Sequence, residues 1–482
     1  MMKKYSALAL LAILFLTLGS CRSDDVDDVV RIQDSTALDT HKFVYDALDI
    51  FYLYKAEKEV LTEGYFQTLE EKEEYLSQFE TPEDLFDDLK FEDDRFSILV
   101  PDYHDLENQL DGIGLNNGMD YGLGVFSGSD EVFGFVRYVL PGTSAEEEGV
   151  KRGMLFNRID GERMTLDNYQ DLLNGNTYAI GLMEVVETTD GINTLSETED
   201  EITLTKTKYN ENPIYLKKVL EVGGKKIGYL VYNSFIASYD EDLNDLFAEF
   251  KSEGIDELII DLRYNGGGSV DTCKNLAGMI TGQFNDKVFA TENHNALLSE
   301  AGWDIDILFS DRLKGRTMLN SLNMNRVYII GTGSSASASE LLINGLKPYI
   351  DVVQVGETTV GKFQGSIMVY DSDDFSREAV LPGHTYAMLP LIMKLTNADG
   401  VSDYVNGLSP DIKKEEDIAD MGELGDEKEP LLQAALQDIT GSGAIASYRA
   451  VRSVKPYKII GERGDKQLNY QKMVGSGKPF ER

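Results

Sequence analysis

Four serines crowd one short stretch, Gly331-Thr-Gly-Ser-Ser-Ala-Ser-Ala-Ser-Glu340, and a single lysine follows between Gly361 and Phe363. The stretch comes after the apolar run Val327–Ile330 and leads into a helical pattern at Leu341–Leu346, so it reads as strand, small-residue turn, helix. Small residues let a substrate backbone approach. The unpaired N–H groups of a helix's first turn can hold a developing oxyanion. A serine hydroxyl becomes a nucleophile when a neighbouring base takes its proton, and an uncharged lysine can be that base. The chemistry on offer is acyl transfer through a serine ester. Lysine titrates near 10.4 in water, so the site must lower it by burial and by its neighbours. Ser337 and Glu340 also spell a capping box, a structural role compatible with the chemical one.

Other elements must position this turn. Leu258–Leu262 reads as a buried strand running into Arg263-Tyr-Asn-Gly-Gly-Gly268. A glycine turn there bares backbone N–H groups to a substrate carbonyl, and no Lys-Ser or Lys-Thr follows to make it a phosphate loop. Leu243, Leu246, Phe247 and Phe250 share a helical face that Gly254 ends. Alternating strands and helices from about Thr207 predict an α/β layered body. Residues 34–110 read as a helical domain: Phe43, Ala47, Ile50, Phe51 and Tyr54 form one face, and Thr81-Pro-Glu-Asp84 is a capped start. Residues 111–206 change to short glycine-spaced strands, with Asp190–Glu201 expected as an exposed hairpin loop.

Taken in order, Ser335–Glu340 and Gly356–Lys362 resemble the C-terminal-processing (tail-specific) serine peptidases. The resemblance extends to Asp261–Gly268 and to Lys394-Leu-Thr with Asn406-Gly-Leu-Ser-Pro-Asp411, over roughly residues 120–440. It implies Ser337 as nucleophile and Lys362 as general base. It implies an oxyanion hole of the Ala338 amide and one amide of Gly266–Gly268, assigned to Gly267. That family often carries Gln four residues after the lysine; Ser366 stands there, with Gln364 two residues after it, and both are candidates to orient Lys362. Tyr121-Gly-Leu-Gly-Val-Phe126, Pro141-Gly142 and Phe156–Gly161 are similar to a bacterial protease PDZ domain. On that likeness Gly122, Leu123 and Gly124 form the nest for a peptide carboxylate, and the peptide adds as a strand. The implied fold is multidomain α+β: an N-terminal helical domain, a PDZ domain at 111–206, and a crotonase- and Clp-like ββα superhelix at 207–443. The implied partners are proteins or peptides with free C-termini, and no cofactor or metal is implied.

Composition narrows the alternatives. The 482 residues carry 84 acidic against 45 basic side chains, a net charge of -39 that argues against nucleic acid and anionic membrane as partner surfaces. Lys3 and Lys4 followed by apolar Ala7–Leu18 read as a signal peptide over 1–21, and Leu18-Gly-Ser-Cys21 resembles a bacterial lipobox with Cys21 lipidated. Residues 22–33 read as a tether, resembling the acidic leader of Bacteroidetes surface lipoproteins. The expected place, as a lipobox and such a leader imply, is the envelope of a Gram-negative cell at its outer membrane, on the periplasmic face or the cell surface. Cys273 is the only other cysteine and reads as a small core or surface residue. His41, His104, His294 and His384 are expected on surfaces or loops. From Arg449 to Arg482 the chain has nine basic and three acidic residues, so in an acidic protein this tail at 444–482 is expected to fold back on the body. Two rival readings stand beside the peptidase: a non-catalytic peptide-binding lipoprotein, and an apolar-ligand carrier on the same core.

Overall fold

A computed structural model describes residues 37–187, 193–314, 317–381, 383–441 and 457–475. Cys21, the signal segment and the tether lie outside the described residues, as does part of the basic tail.

The body is built on a strand buried on both faces, Glu257–Asp261, as its unbroken apolar run requires. It lies inside a six-stranded sheet whose order is 214–222, 225–232, 257–261, 326–331, 351–356 and 412–413. The first pair is antiparallel and the remaining pairs are parallel. Parallel neighbours need crossovers, which helices supply. Asp240–Glu253, Val270–Thr281 and Ala338–Leu346 bury Phe247, Leu276 and Leu342 against one face. Pro430–Thr440 covers the other face with Leu431 and Leu436. The glycine turn and the serine turn therefore leave the carboxyl ends of adjacent parallel strands, the rim where open α/β sheets place ligands.

The N-terminal helices share a core with the body. Phe51 and Leu85 pack with Trp303, Ile367 and Met393, and strand Ile98–Val100 pairs with Ala387–Leu389. Residues 113–205 form a β-rich module around the order 119–126, 132–139, 155–159, 177–187 and 193–205, with strand 457–462 added at its edge.

Three expectations need correction. Asn193–Thr205 is a strand paired with Thr177–Glu187, so most of the expected loop at Asp190–Glu201 is ladder. Its exposed Glu197 is held across the sheet by Arg158 at 3.2 Å and Arg163 at 2.6 Å. Gly122, Leu123 and Gly124 are not a carboxylate nest. They sit inside strand Met119–Phe126, paired on both sides, without the positive φ a nest needs. The glycines are there for space: a Cβ on Gly122 would lie 2.2 Å from the Phe135 ring, and one on Gly124 would lie 2.6 Å from Phe133. His41 is buried rather than superficial, and the His294 side chain is enclosed, facing Asp304 at 3.2 Å.

Candidate active site

Ser337 begins the helix Ala338–Leu346 with φ 64° and ψ −116°. A side-chain-bearing residue adopts this only under constraint, at a cost of about 1–3 kcal/mol. The neighbouring hydroxyls are all committed. Ser334 Oγ donates to Glu462 at 2.8 Å and accepts from Arg137 at 3.0 Å. Ser335 Oγ donates to the Leu262 carbonyl at 2.7 Å, and Ser339 Oγ to the Asn265 carbonyl at 2.9 Å. Ser337 Oγ is buried and has no hydrogen-bond partner among the described residues. Ser337 is thus the serine of this turn whose hydroxyl is left unbonded.

Glu340 joins this turn to the lysine loop. One carboxylate oxygen accepts from the N–H groups of Ser337 and Lys362, both at 2.8 Å. The other accepts from Gly361 N–H at 2.6 Å and Thr359 Oγ1 at 2.5 Å. Burial pushes the Glu340 carboxyl up, against the pull of these four donors. The Asn406–Asp411 segment braces the same loop, because Leu408 N–H donates to Thr359 Oγ1 at 2.8 Å and Leu408 accepts from Thr359 N–H at 3.2 Å.

Lys362 is fully buried. Burial, then the positive charge of Lys472, hold its amine well below the ordinary 10.5, against the attraction of Asp94 and Glu340. Its Nζ donates to the Gln471 carbonyl at 2.7 Å and lies 4.8 Å from the centre of the Phe96 ring. Neither expected orienting residue bonds it. Gln364 donates to Tyr54 at 2.8 Å, and Ser366 Oγ is buried without a partner among the described residues. Both side chains are buried in strand Gln364–Ser366, and the Lys362 amine is instead held by the Gln471 carbonyl.

The glycine turn is fixed by Asn265, a residue sequence reading passed over. Its Nδ2 donates to the Tyr232 carbonyl at 2.8 Å, its own carbonyl accepts from Ala336 N–H at 3.1 Å, and its Oδ1 accepts from Gly267 N–H at 2.8 Å. That last bond corrects the assignment of Gly267 as oxyanion donor. The amide turned toward a peptide carbonyl is that of Gly268, which donates to Lys472 at 2.8 Å. Gly267 is required for another reason: with φ 114°, its Cβ would lie 2.6 Å from Ser337 Cβ. Ala338, first residue of its helix, has no intrahelical acceptor for its N–H. Upstream, Arg263 is buried between Asp261 and Glu429, both at 2.7 Å, which locks the strand end from which the turn departs. Cys273 is buried beneath the site, its thiol donating to the Ala338 carbonyl at 3.2 Å and pushed well up by burial.

A strained serine, a buried low-titrating lysine and a glycine amide facing a carbonyl now stand together. Residues 226–413 match Peptidase family S41. The chain is similar in sequence to C-terminal-processing proteases. It is 27% identical over 320 residues to the chloroplastic C-terminal processing peptidase of Tetradesmus obliquus, covering 64% of this chain and 61% of that one. It is 25% identical over 227 residues to a carboxyl-terminal-processing protease of Picosynechococcus, covering 46% and 49%. The chain thus covers less than two thirds of each relative. An S41 protease candidate from Bacteroides fragilis superposes with TM-score 0.63 at 26% identity, over 83% of this chain and 97% of that one. The mixed α+β architecture is that of an S41 peptidase fold.

Proposed function

We propose that the chain is a serine endopeptidase of the C-terminal-processing type working through a Ser337/Lys362 dyad. The observation that carries this is Ser337 Oγ: the one uncommitted hydroxyl of its turn, held on a strained backbone and tied through Glu340 to a buried lysine. Neutral Lys362 Nζ takes the Ser337 proton as Oγ attacks the scissile carbonyl. The oxyanion is held by the amides of Gly268 and Ala338, and Lys362 returns the proton to the leaving amine. Water then enters by the same route and frees the acyl group. The β-module at 113–205 serves in this reading as a PDZ-type reader of substrate tails, by strand addition at the edge of Met119–Phe126.

The test is turnover of an unstructured protein with a free apolar C-terminus by the full chain. Ser337→Ala is expected to reduce the rate by about 10³-fold or more, with an unchanged melting curve. Equal rates for the two proteins would end the peptidase reading in favour of the binding lipoprotein. Lipid anchoring at Cys21 belongs to the same proposal. Cys21→Ser is expected to move the protein from the membrane fraction to the soluble fraction, and an unchanged partition would remove the anchor.

A further inference from the structure

The chain's own C-terminal segment stands where the proposed substrate should. Strand Tyr457–Glu462 is added antiparallel to Met119–Phe126, with Ile459 opposite Gly124 and Glu462 opposite Gly122. That is the edge assigned above to a substrate tail. Further on, Met473–Val474 lies between Gly268–Ser269 and Gln364–Ser366, parallel to both, and joins the glycine strand to the strand after the lysine. The polar groups of the site are used by this segment. Gly268 N–H holds the Lys472 carbonyl at 2.8 Å, and Lys362 Nζ holds the Gln471 carbonyl at 2.7 Å. The Lys472 carbonyl oxygen and Ser337 Oγ each lie 2.8 Å from the same point, the position a Cβ would take on Gly267.

Side chains anchor the segment along its length. Glu462 pairs with Arg137 of the module and accepts from Ser334 of the nucleophile turn. Arg463 sits between Asp120 at 3.4 Å and Glu211 at 4.0 Å. Lys472 Nζ donates to the Phe96 carbonyl at 2.7 Å, and Met473 is fully buried in the core of the body. The segment is thus held by ion pairs of both senses, Arg463 on carboxylates and Glu462 on a guanidinium, and by backbone carbonyls.

We propose that residues 457–475 are an in-cis plug that fills both the module edge and the acyl groove, so that the chain is closed until this segment is displaced. The inference rests on the peptidase reading of the site. The order of contacts distinguishes a plug from a substrate. A substrate held at the module edge by its C-terminus would present upstream residues to Ser337. The tail touches the edge first, at 457–462, and reaches Ser337 with downstream residues. The base also donates to Gln471, and no hydrogen bond joins it to Ser337 Oγ in this state.

Two full-chain variants test this, Met473→Asp inside the groove and Arg463→Glu at the acidic clamp, each also made in a Ser337→Ala background. The probe is a fluorescein-labelled unstructured peptide with a free apolar C-terminus. In the Ser337→Ala background both substitutions are expected to tighten peptide binding at least about tenfold, because the competent state is no longer a minor one. With Ser337 present both are expected to raise turnover by a similar factor, and a synthetic 457–475 peptide is expected to reverse both gains. Unchanged binding in both variants overturns the plug. So does Ser337-dependent loss of the mass beyond Lys472, which would make the tail a substrate. Tighter binding in both variants with no Ser337-dependent turnover in any of them sustains the plug and ends the peptidase reading instead.

Discussion

Lys362→Met is expected to abolish turnover and at the same time to make the protein more stable at neutral pH. The catalytic half follows from the proposed base: removing a positioned proton acceptor costs about 10²–10⁴-fold, and methionine has no lone pair able to serve. The stability half follows from burial. Lys362 is fully buried and its amine is held well below 10.5 by desolvation first and Lys472 second. The unfolded chain therefore binds a proton at this position over a pH range in which the folded chain does not. Stability from this group rises with pH wherever the unfolded state binds more protons. The penalty carried by wild type is thus largest toward low pH, shrinks as pH climbs from the depressed folded pKa toward 10.5, and is gone above it. Methionine fills a similar volume without the penalty. Denaturant midpoints for both proteins across pH 6–10 check this: the gap should favour the variant at pH 6 and close toward pH 10. Wild-type kcat should rise with pH through the depressed lysine pKa and level off below the range of an ordinary lysine. A variant that is less stable at every pH would show that the ammonium form is the one the site holds.

Much of the site could be read from linear motifs, because the turn chemistry is local. Strand, glycine turn and strand, serine turn, helix are each specified by residues next to one another, and the parallel rim then brings Gly267 and Ser337 together. What could not be read lies at long sequence separation or in the third dimension. Asn265 was legible in part, since an asparagine before glycines is a turn residue that can bond a later N–H. Its bond to Gly267, which leaves the Gly268 amide as the proposed oxyanion donor, depends on how the turn meets the serine loop. The glycines at 122 and 124 answer to the rings of Phe135 and Phe133 on the neighbouring strand, not to a carboxylate. The fold-back of the tail was foreshadowed by its charge alone. Its registers against Met119–Phe126 and Gly268–Ser269 span more than three hundred and two hundred residues, and no local pattern encodes them.

Glu340→Gln should be the most damaging substitution that leaves both members of the dyad in place. In sequence Glu340 reads as a helix-capping residue. In the structure each of its oxygens accepts two donors, and the four donors come from both catalytic loops. An amide replaces one acceptor oxygen by an NH₂ group, so two buried donors face a third. Each stranded buried donor costs about 1–3 kcal/mol, and the loss in folding free energy should be about 2–6 kcal/mol on that basis. The loops respond by separating, which displaces Ser337 relative to Lys362; a misplacement near 1 Å costs about 10²-fold in rate. Glu340 acts through other residues, so the decisive readout is one that stability alone does not move. Below the unfolding transition, kcat should fall about 10²-fold with KM nearly unchanged. The phosphonylation rate of Ser337 by a small fluorophosphonate should fall in parallel. A variant that loses stability but keeps full kcat and full Ser337 reactivity would reduce Glu340 to the cap that sequence alone makes it.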